Sequence, residues 1–339
     1  MIVKKSGRLI NYLTGLIFTA FLISGCNQSQ KGEQVTVEIN RFEKDLFRIS
    51  VYNLRDSIDF LHEKYPAFFP LFVGEILEIN DTSPAVIADG VVSFVTDFTI
   101  YRVSKHIKEV FSSLDNYESG LSQAFTSYKL NFPDKDVPKV LSCITGFNQS
   151  MITSDSLLAI GLDKYLGAED EFYKLLYPPV PVYLRSAMIP ERIVPDAMMA
   201  WTLTEFPYHD DKNNLLSQII FHGRAYYMVN ELIPGVNDTL LWGFSRPQMN
   251  FCLKNEKPMW EYLIEHKKLF TTDPFTISQF INEAPFTKDF SRESPGRVAI
   301  WLGYRIVSSF MAKNRDVTLN ELMAKTDYQE ILNLSKYNP

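Results

Sequence analysis

The sequence predicts an α+β fold that is predominantly α-helical, with a small β element inside a single globular domain. Apolar residues recur at steps of three and four along much of the chain, a pattern typical of helices with one buried face. Two short apolar runs between residues 138 and 166 have the length of strands. Aromatic residues make up 14% of the 339 residues, so the chain can fill a substantial core, which excludes a disordered or fibrous protein.

The amino terminus has the features of a bacterial lipoprotein signal. Lys4, Lys5 and Arg8 precede an apolar run, Leu13 to Ile23, that is too short at about 1.5 Å per residue to cross a hydrocarbon core of about 30 Å. The residues Ile23-Ser24-Gly25-Cys26 then resemble a lipobox, in which a diacylglycerol is attached to the cysteine. An ordinary signal peptide followed by an incidental cysteine is the alternative interpretation.

These features predict a signal peptide at 1–25, a lipidated tether at 26–34 and a globular domain at 35–339. The tether is polar and lacks the acidic run that resembles the surface-export signal of some lipoproteins. We therefore expect a lipid-anchored protein of the cell envelope that faces the periplasm, with the choice between inner and outer membrane left open.

In the first half of the domain, residues 35–39 alternate like a strand. Three helical stripes follow and are expected to be buried, the first of them ending at Pro66. Their members are Phe47, Val51, Leu54, Ile58 and Leu61, then Phe94, Phe98 and Tyr101, then Leu121, Phe125, Tyr128 and Phe132. Strands are predicted at 140–144 and 156–162, separated by a turn-rich segment at 146–155.

In the last third, helix start signals dominate. Pro195 is predicted at the first position of a helix, and Asp210 and Asp211 are predicted to cap a helix over 215–232. Capping boxes are predicted at Ser245 with Gln248, opening a helix to Leu269, at Thr318 with Glu321, and at Asp327 with Glu330.

The charge of the chain argues against a nucleic-acid partner. Its net charge is −6, whereas such a binder needs clustered positive charge to displace phosphate counterions. Three cysteines are too few for a disulfide scaffold. A bond between Cys143 and Cys252 stays open, because it requires Cα atoms within about 7 Å.

Common catalytic spacings are absent from the sequence, which predicts no enzyme, no cofactor and no catalytic residue. No two of the five histidines stand four apart, and there is no Cys-x-x-Cys, Gly-rich phosphate loop or Gly-x-Ser-x-Gly. The candidate metal ligands are Glu205, His209 and His222, with Asp210 and Asp211 beside them. A helix cap plus a loop histidine is the favoured interpretation of that cluster, and Gly223 would let another backbone approach beside His222.

Five further residues are candidates for interaction or for structural support. Arg297 and Arg305 could clamp an anion, since a guanidinium forks two donors toward a carboxylate, but pairing with internal acids is the favoured interpretation. Glu256 and Trp260 lie on the preceding helix, and Trp301 lies between the two arginines.

Short motifs in a fixed order along nearly the whole mature chain resemble the gliding-motility lipoprotein family GldB of Bacteroidota. They are Arg41 to Phe47, Lys64 to Pro70, Ile220 to Tyr227, Glu256 to Trp260, Ala284 to Thr287, Ser294 to Gly303 and Ser335 to Pro339. The resemblance implies a membrane-attached accessory of a gliding or type IX secretion apparatus, with other machinery proteins as partners.

The family likeness also implies a distant tie to zinc peptidases that contain His-Glu-x-x-His, and hence a degenerate zinc-peptidase-like scaffold. The segment expected to carry that motif reads Met198-Met199-Ala200-Trp201-Thr202, which holds no strong zinc ligand. Two rival functions are kept: a metal-dependent hydrolase with an unconventional site at Glu205, His209 and His222, and a periplasmic binding module for cell-envelope fragments.

Overall fold

A computed structural model of the chain describes residues 34–49, 53–210 and 212–339. Residues 35–339 form one compact unit. Cys26, with the predicted signal peptide and nearly all of the tether, lies outside the described residues, as do Val51 and Asp211.

A four-stranded mixed sheet lies in the middle of the fold. The strands are β1 (Ile39–Arg41), β2 (Lys139–Cys143), β3 (Met151–Ser154) and β4 (Leu157–Gly161), in the spatial order β1-β2-β4-β3. β1, β2 and β4 run parallel, and β3 pairs antiparallel with β4. β2 and β4 confirm the strands predicted at 140–144 and 156–162. The strand predicted at 35–39 begins only at Ile39, and β3 lies where the sequence predicted only turns, so these two predictions were wrong.

The sheet separates two hydrophobic clusters, because successive side chains of a strand point to opposite faces. Val140, Leu158 and Ile160 belong to the larger cluster, with most of the helices. Leu141 and Ala159 belong to the smaller one. Both faces of the sheet are therefore covered, as expected for parallel strands.

Helices surround this sheet and confirm the predicted α+β, mostly helical class. Before β2 they are α1 (Phe42–Leu46), α2 (Leu54–Lys64), α3 (Phe69–Leu71), which continues as a π-helical turn (Phe72–Ile76), α4 (Pro84–Thr96), α5 (Phe98–Val110) and α6 (Asp115–Asn131). After β4 they are α7 (Glu171–Leu175), α8 (Val182–Arg185), α9 (Ile193–Glu205), α10 (Leu215–Leu232), α11 (Asp238–Trp242), α12 (Arg246–Lys254), α13 (Glu256–Glu265), α14 (Pro274–Ile281), α15 (Val298–Lys313), α16 (Leu319–Ala324) and α17 (Tyr328–Ser335). Short 3-10 helices span Leu162–Lys164 and Pro190–Arg192.

Two predicted stripes differ from the structure. α2 begins only at Leu54, so Phe47 precedes the helix whose face it was predicted to share, although the helix does end before Pro66. Phe98 and Tyr101 are 72% and 47% exposed rather than buried. The chain breaks at Asp97, whose side chain accepts from the amide of Ile100 and starts α5 in a new direction.

The predicted helix caps are partly confirmed. The boxes at Ser245 with Gln248 and at Thr318 with Glu321 both form, and Asp327 caps α17. The helix that opens at Ser245 ends at Lys254 rather than at Leu269. A separate helix, α13, begins at Glu256.

Two predicted helix starts were wrong. Asn214, rather than Asp210, caps α10 by accepting from the amide of Ser217. Pro195 is the third residue of α9 rather than the first.

Cys143 and Cys252 do not pair with each other. Both thiols are free and buried, and they belong to the two different clusters on opposite sides of the sheet.

Among the described helices, none alone has both the length and the apolar composition of a membrane span. The pair α4 and α5 meets that criterion together but is bent by 64° at their junction.

Candidate functional site

Two glycines let α10 and α15 cross in close contact at the centre of the larger cluster. A Cβ on Gly223 would overlap the backbone of Gly303 and Tyr304, and a Cβ on Gly303 would overlap the carbonyl of Ile219. The prediction that Gly223 admits a second backbone is therefore confirmed. This crossing fixes the relative position of α10 and α15, which carry polar groups at the centre of the domain.

The loop before α15 aims Arg297 into the protein interior. Gly296 packs against the backbone of Ala284, where a Cβ would not fit. Thr287 donates from its amide and its hydroxyl to the carbonyl of Pro295, at 3.1 and 2.9 Å. Arg297 itself adopts a left-handed backbone conformation with φ of 49°, which costs energy in a residue with a side chain. The surrounding loop holds it there.

The buried Arg297 guanidinium has internal partners on three elements. It donates to the Trp242 carbonyl at 2.6 Å and to the Tyr226 hydroxyl, and its Nε lies 2.6 Å from the Glu283 carboxylate. The Tyr226 ring stacks on Trp242 with centroids 3.9 Å apart. Arg297 thus connects α10, α11 and the segment after α14. It pairs with an acid, as the favoured interpretation holds, but the Glu283 side chain is 54% exposed and lies at the surface rather than in the interior.

Next to this cluster, α9 begins with a second ion pair. Arg192 lies 2.5 Å from Asp196, and the Tyr165 hydroxyl donates to the same carboxylate at 3.0 Å. Burial raises the pKa of Tyr165, so this phenol stays protonated and remains a donor. Arg192, Asp196 and Arg297 line a groove of about 380 Å³, together with residues of α9 and of the start of β3.

Glu205, at the end of α9, is bound by α6 and by the loop that follows α6. It accepts from Lys135 Nζ at 2.7 Å and from the Tyr128 hydroxyl at 3.1 Å. Burial raises the pKa of Tyr128, which keeps its hydroxyl proton available for Glu205. Glu205 therefore joins α6 to α9.

The other candidate ligands have separate surroundings. His209 is exposed in the segment after α9, and Asp210 accepts from the Tyr208 hydroxyl at 3.3 Å. His222 is partly buried with its ring against Phe221. In the part of the chain that the structure describes, no three His, Cys, Asp or Glu side chains form a group able to hold a metal ion.

The segment that was expected to carry the zinc-peptidase motif, Met198 to Thr202, lies in α9. Met198, Trp201 and Thr202 are buried in the core, whereas Met199 and Ala200 are partly exposed and line the groove. The Trp201 indole N–H and the Thr202 hydroxyl are buried without a hydrogen-bond partner among the described residues.

Glu256, Arg305 and Trp260 dock the carboxyl terminus. Arg305 Nε and the Tyr337 hydroxyl both donate to Glu256, each at 2.8 Å. Trp260 meets the Tyr337 ring edge-on at 5.2 Å. The Arg305 guanidinium also lies 5.7 Å from the ring of Trp301, a cation–π contact.

Arg224, which lies in the motif from Ile220 to Tyr227, has a large structural role. Its guanidinium donates to the carbonyls of Leu322 and Met323 at 3.2 and 3.3 Å and to that of Lys325. These carbonyls end α16, so a positive charge here also favours the negative end of the helix. Arg224 therefore holds α16 against α10.

Several supporting residues were not predicted. Asp163 is fully buried and accepts from the amides of Thr145 and Phe147 at 3.0 and 2.6 Å, which shapes the turn after β2. The spacing of four between Arg192 and Asp196 could have signalled their pair. Nothing local in the sequence marks Glu283 as the partner of a residue fourteen positions later.

The lowered pKa of His222 should be visible in the pH dependence of the free energy of unfolding. Burial and the nearby Arg297 charge lower the pKa of His222 from 6.5 to about 4. Between these values the unfolded chain binds a proton that the folded chain does not, so stability falls as pH is lowered from 6.5 toward 4, by up to about 1.4 kcal/mol per pH unit. Partial exposure of the ring reduces this slope.

The check is urea unfolding at several pH values for the wild type and His222→Gln. Between pH 6.5 and 5 the free energy of unfolding should fall less in the variant than in the wild type. From pH 7 to 8 it should change equally with pH in both proteins, because both side chains are neutral there. If the free energy of unfolding fell equally with pH in both proteins below pH 6.5, His222 would not be the source of the decline.

A protein-family model matches the chain over all of the elements described above. A model described as gliding motility protein GldB matches residues 25–339. The match begins one residue before Cys26 and includes every element described above. No curated protein and no solved structure matches the chain.

Proposed function

Because this chain belongs to the GldB family of gliding motility proteins, we propose that it is a membrane-anchored lipoprotein that supports a gliding or type IX secretion apparatus without catalysing a reaction. In this proposal the lipid is attached to Cys26, the body faces the periplasm, and the partners are other proteins of the machinery. The match to residues 25–339 carries the proposal.

The lipobox supports the anchor. Ile23 to Cys26 follows directly on the apolar run and precedes a polar tether. More than one acyl chain gives stable attachment, since each buried methylene contributes about 0.8 kcal/mol. A body that starts at Val35 would thereby stay close to the bilayer surface.

The internal contacts of the polar groups support a role without catalysis. Glu205 is held by Lys135 and Tyr128, and Arg297 by Glu283, Tyr226 and Trp242. A side chain whose contacts hold structural elements together is poorly placed to move a proton during a reaction. In this proposal these contacts give a rigid body whose surface makes the functional interactions.

The rival hydrolase would need Glu205, His209 and His222 to act together. We therefore expect a combined Glu205→Gln, His209→Gln, His222→Gln variant to restore gliding to a strain of the family that lacks its own copy, to within about twofold of wild type, because no rate enhancement is lost. The measurement is colony spreading at matched protein level.

The matched control replaces an exposed pair of the same types, Glu265→Gln with His266→Gln. Loss of gliding in the triple variant at normal protein level, with the control active, would overturn the non-enzymatic proposal. Stoichiometric zinc in the purified wild type that disappears in His222→Gln would overturn it as well.

A further inference from the structure

A pocket of about 590 Å³ is lined by residues of the α12–α13 junction, of α15 and of the segment after α17. Five of its lining side chains are positively charged and one is a carboxylate, namely Lys254, Lys257, Arg305, Lys313 and Lys336 against Glu256. A carboxylate at Pro339, which also lines the pocket, would lower this excess by one and leave it positive. The pocket is therefore strongly positive, although the chain as a whole has a net charge of −6.

The Glu256 carboxylate already has two internal donors. Arg305 Nε and the Tyr337 hydroxyl each donate to it at 2.8 Å, and its side chain is only 14% exposed. Burial raises the pKa of Tyr337, so the phenol keeps its proton and remains a donor. Glu256 therefore does not neutralise the lysines of the pocket.

Three of these lysines have no carboxylate partner among the described residues. Lys254 and Lys336 are exposed, and their ammonium groups form no hydrogen bond or ion pair with the described part of the chain. Lys313 Nζ donates to the carbonyls of Ser335 and Lys336 at 2.6 and 3.1 Å. These neutral oxygens hold the Lys313 ammonium in place without a negative charge to match it.

Arg305 is held with its two terminal nitrogens free. Its Nε binds Glu256, and the guanidinium lies 5.7 Å from the ring of Trp301. Neither Nη atom donates to a described residue, and the side chain is 41% exposed. A fixed guanidinium of this kind can direct both Nη groups toward one oxyanion. On α13, Lys257 has only the exposed Glu261 as a partner, at 3.7 Å.

We propose that this pocket binds a phosphate monoester, either a soluble one or the head group of a lipid such as phosphatidic acid. A phosphate monoester carries a charge of about −1.5 to −2 at pH 7 and three acceptor oxygens, so several cations can share it. A single carboxylate would leave most of these cations unmatched. The volume lies within the range of about 300–1,000 Å³ that is typical of small-molecule sites. This site goes beyond the proposed accessory role and does not depend on the lipid anchor.

The experiment is isothermal titration calorimetry on the purified full-length protein in a neutral detergent, at constant ionic strength. Inorganic phosphate and dihexanoyl phosphatidic acid are the two probes. The pocket variant, Lys254→Gln with Lys336→Gln, removes two positive charges and breaks no described contact. The matched control, Lys267→Gln with Lys288→Gln, removes two exposed lysines that also lack a described side-chain partner and do not line the pocket.

Wild type and the control should bind at least one probe with equal affinity, and the pocket variant should bind it at least about fivefold more weakly. Arg305→Lys keeps the charge and loses the forked donors, so it should also weaken binding, by about threefold or more. Binding of phosphatidic acid alone would assign the site to lipid head groups. Binding of inorganic phosphate, with or without the lipid, would show that the phosphate group is sufficient.

Equal affinities of wild type and the pocket variant would overturn the proposal, and so would a wild type that binds neither probe at millimolar concentration. If the pocket variant does not fold, lysine acylation of the wild type decides the question. Bound ligand should slow the modification of Lys254 and Lys336 and leave that of Lys267 and Lys288 unchanged, and a lack of protection would contradict the site. None of these results bears on the lipid anchor or on gliding, which are measured separately.

Discussion

Gly303→Ala should lower the free energy of unfolding by roughly 3 kcal/mol or more, because overpacking against rigid backbone cannot be relieved by a side-chain rotation. The new methyl group would overlap the carbonyl carbon and oxygen of Ile219 on α10. Relief requires α10 and α15 to move apart, and these helices carry Arg224 and Arg297 with their partners. The expected result is a marked drop in the urea midpoint and in the thermal unfolding temperature.

The matched control is Gly74→Ala. This glycine also lies in a helical segment, but a Cβ there meets no atom within 4 Å, so we expect a change of about 1 kcal/mol or less. A Gly303→Ala protein as stable as Gly74→Ala would show that the helices do not cross as described.

Gly223 and Gly303 show that a glycine in the sequence can indicate a close backbone contact but cannot identify the segment that makes it. The sequence marked Gly223 as a point of close approach and placed Gly303 in a family motif. It did not pair the two, because eighty residues separate them. Arg297 is similar: its internal role was favoured from the sequence, whereas Glu283 and Trp242 became visible only in the fold.

Strand β3 and helix α5 show why other predictions failed. Gly146, Asn148 and Asp155 around this segment are typical of turns, and pairing with β4 makes residues 151–154 a strand. Phe98 and Tyr101 follow the spacing of a buried stripe, but the break at Asp97 turns α5 so that they face outward. In both cases tertiary contacts decide the structure against the local pattern of residues.

Cys26→Ala should release the chain from the membrane once the signal peptide has been removed. In the proposed anchor the attachment comes from the acyl chains on Cys26, since each buried methylene contributes about 0.8 kcal/mol. In cell fractionation we expect wild type in the detergent-soluble membrane fraction and the variant at least about tenfold enriched in the soluble fraction. Cys252→Ala, a change of the same type at a buried thiol, should leave the distribution unchanged.

The central claim, a lipid-anchored body that acts through its surface, is tested most directly by metabolic labelling with an alkyne fatty acid, followed by isolation of the chain. We expect label on the wild type and on Cys252→Ala, and none on Cys26→Ala. A wild-type chain that carries no fatty acid, or a Cys26→Ala chain that still carries it, would contradict the account.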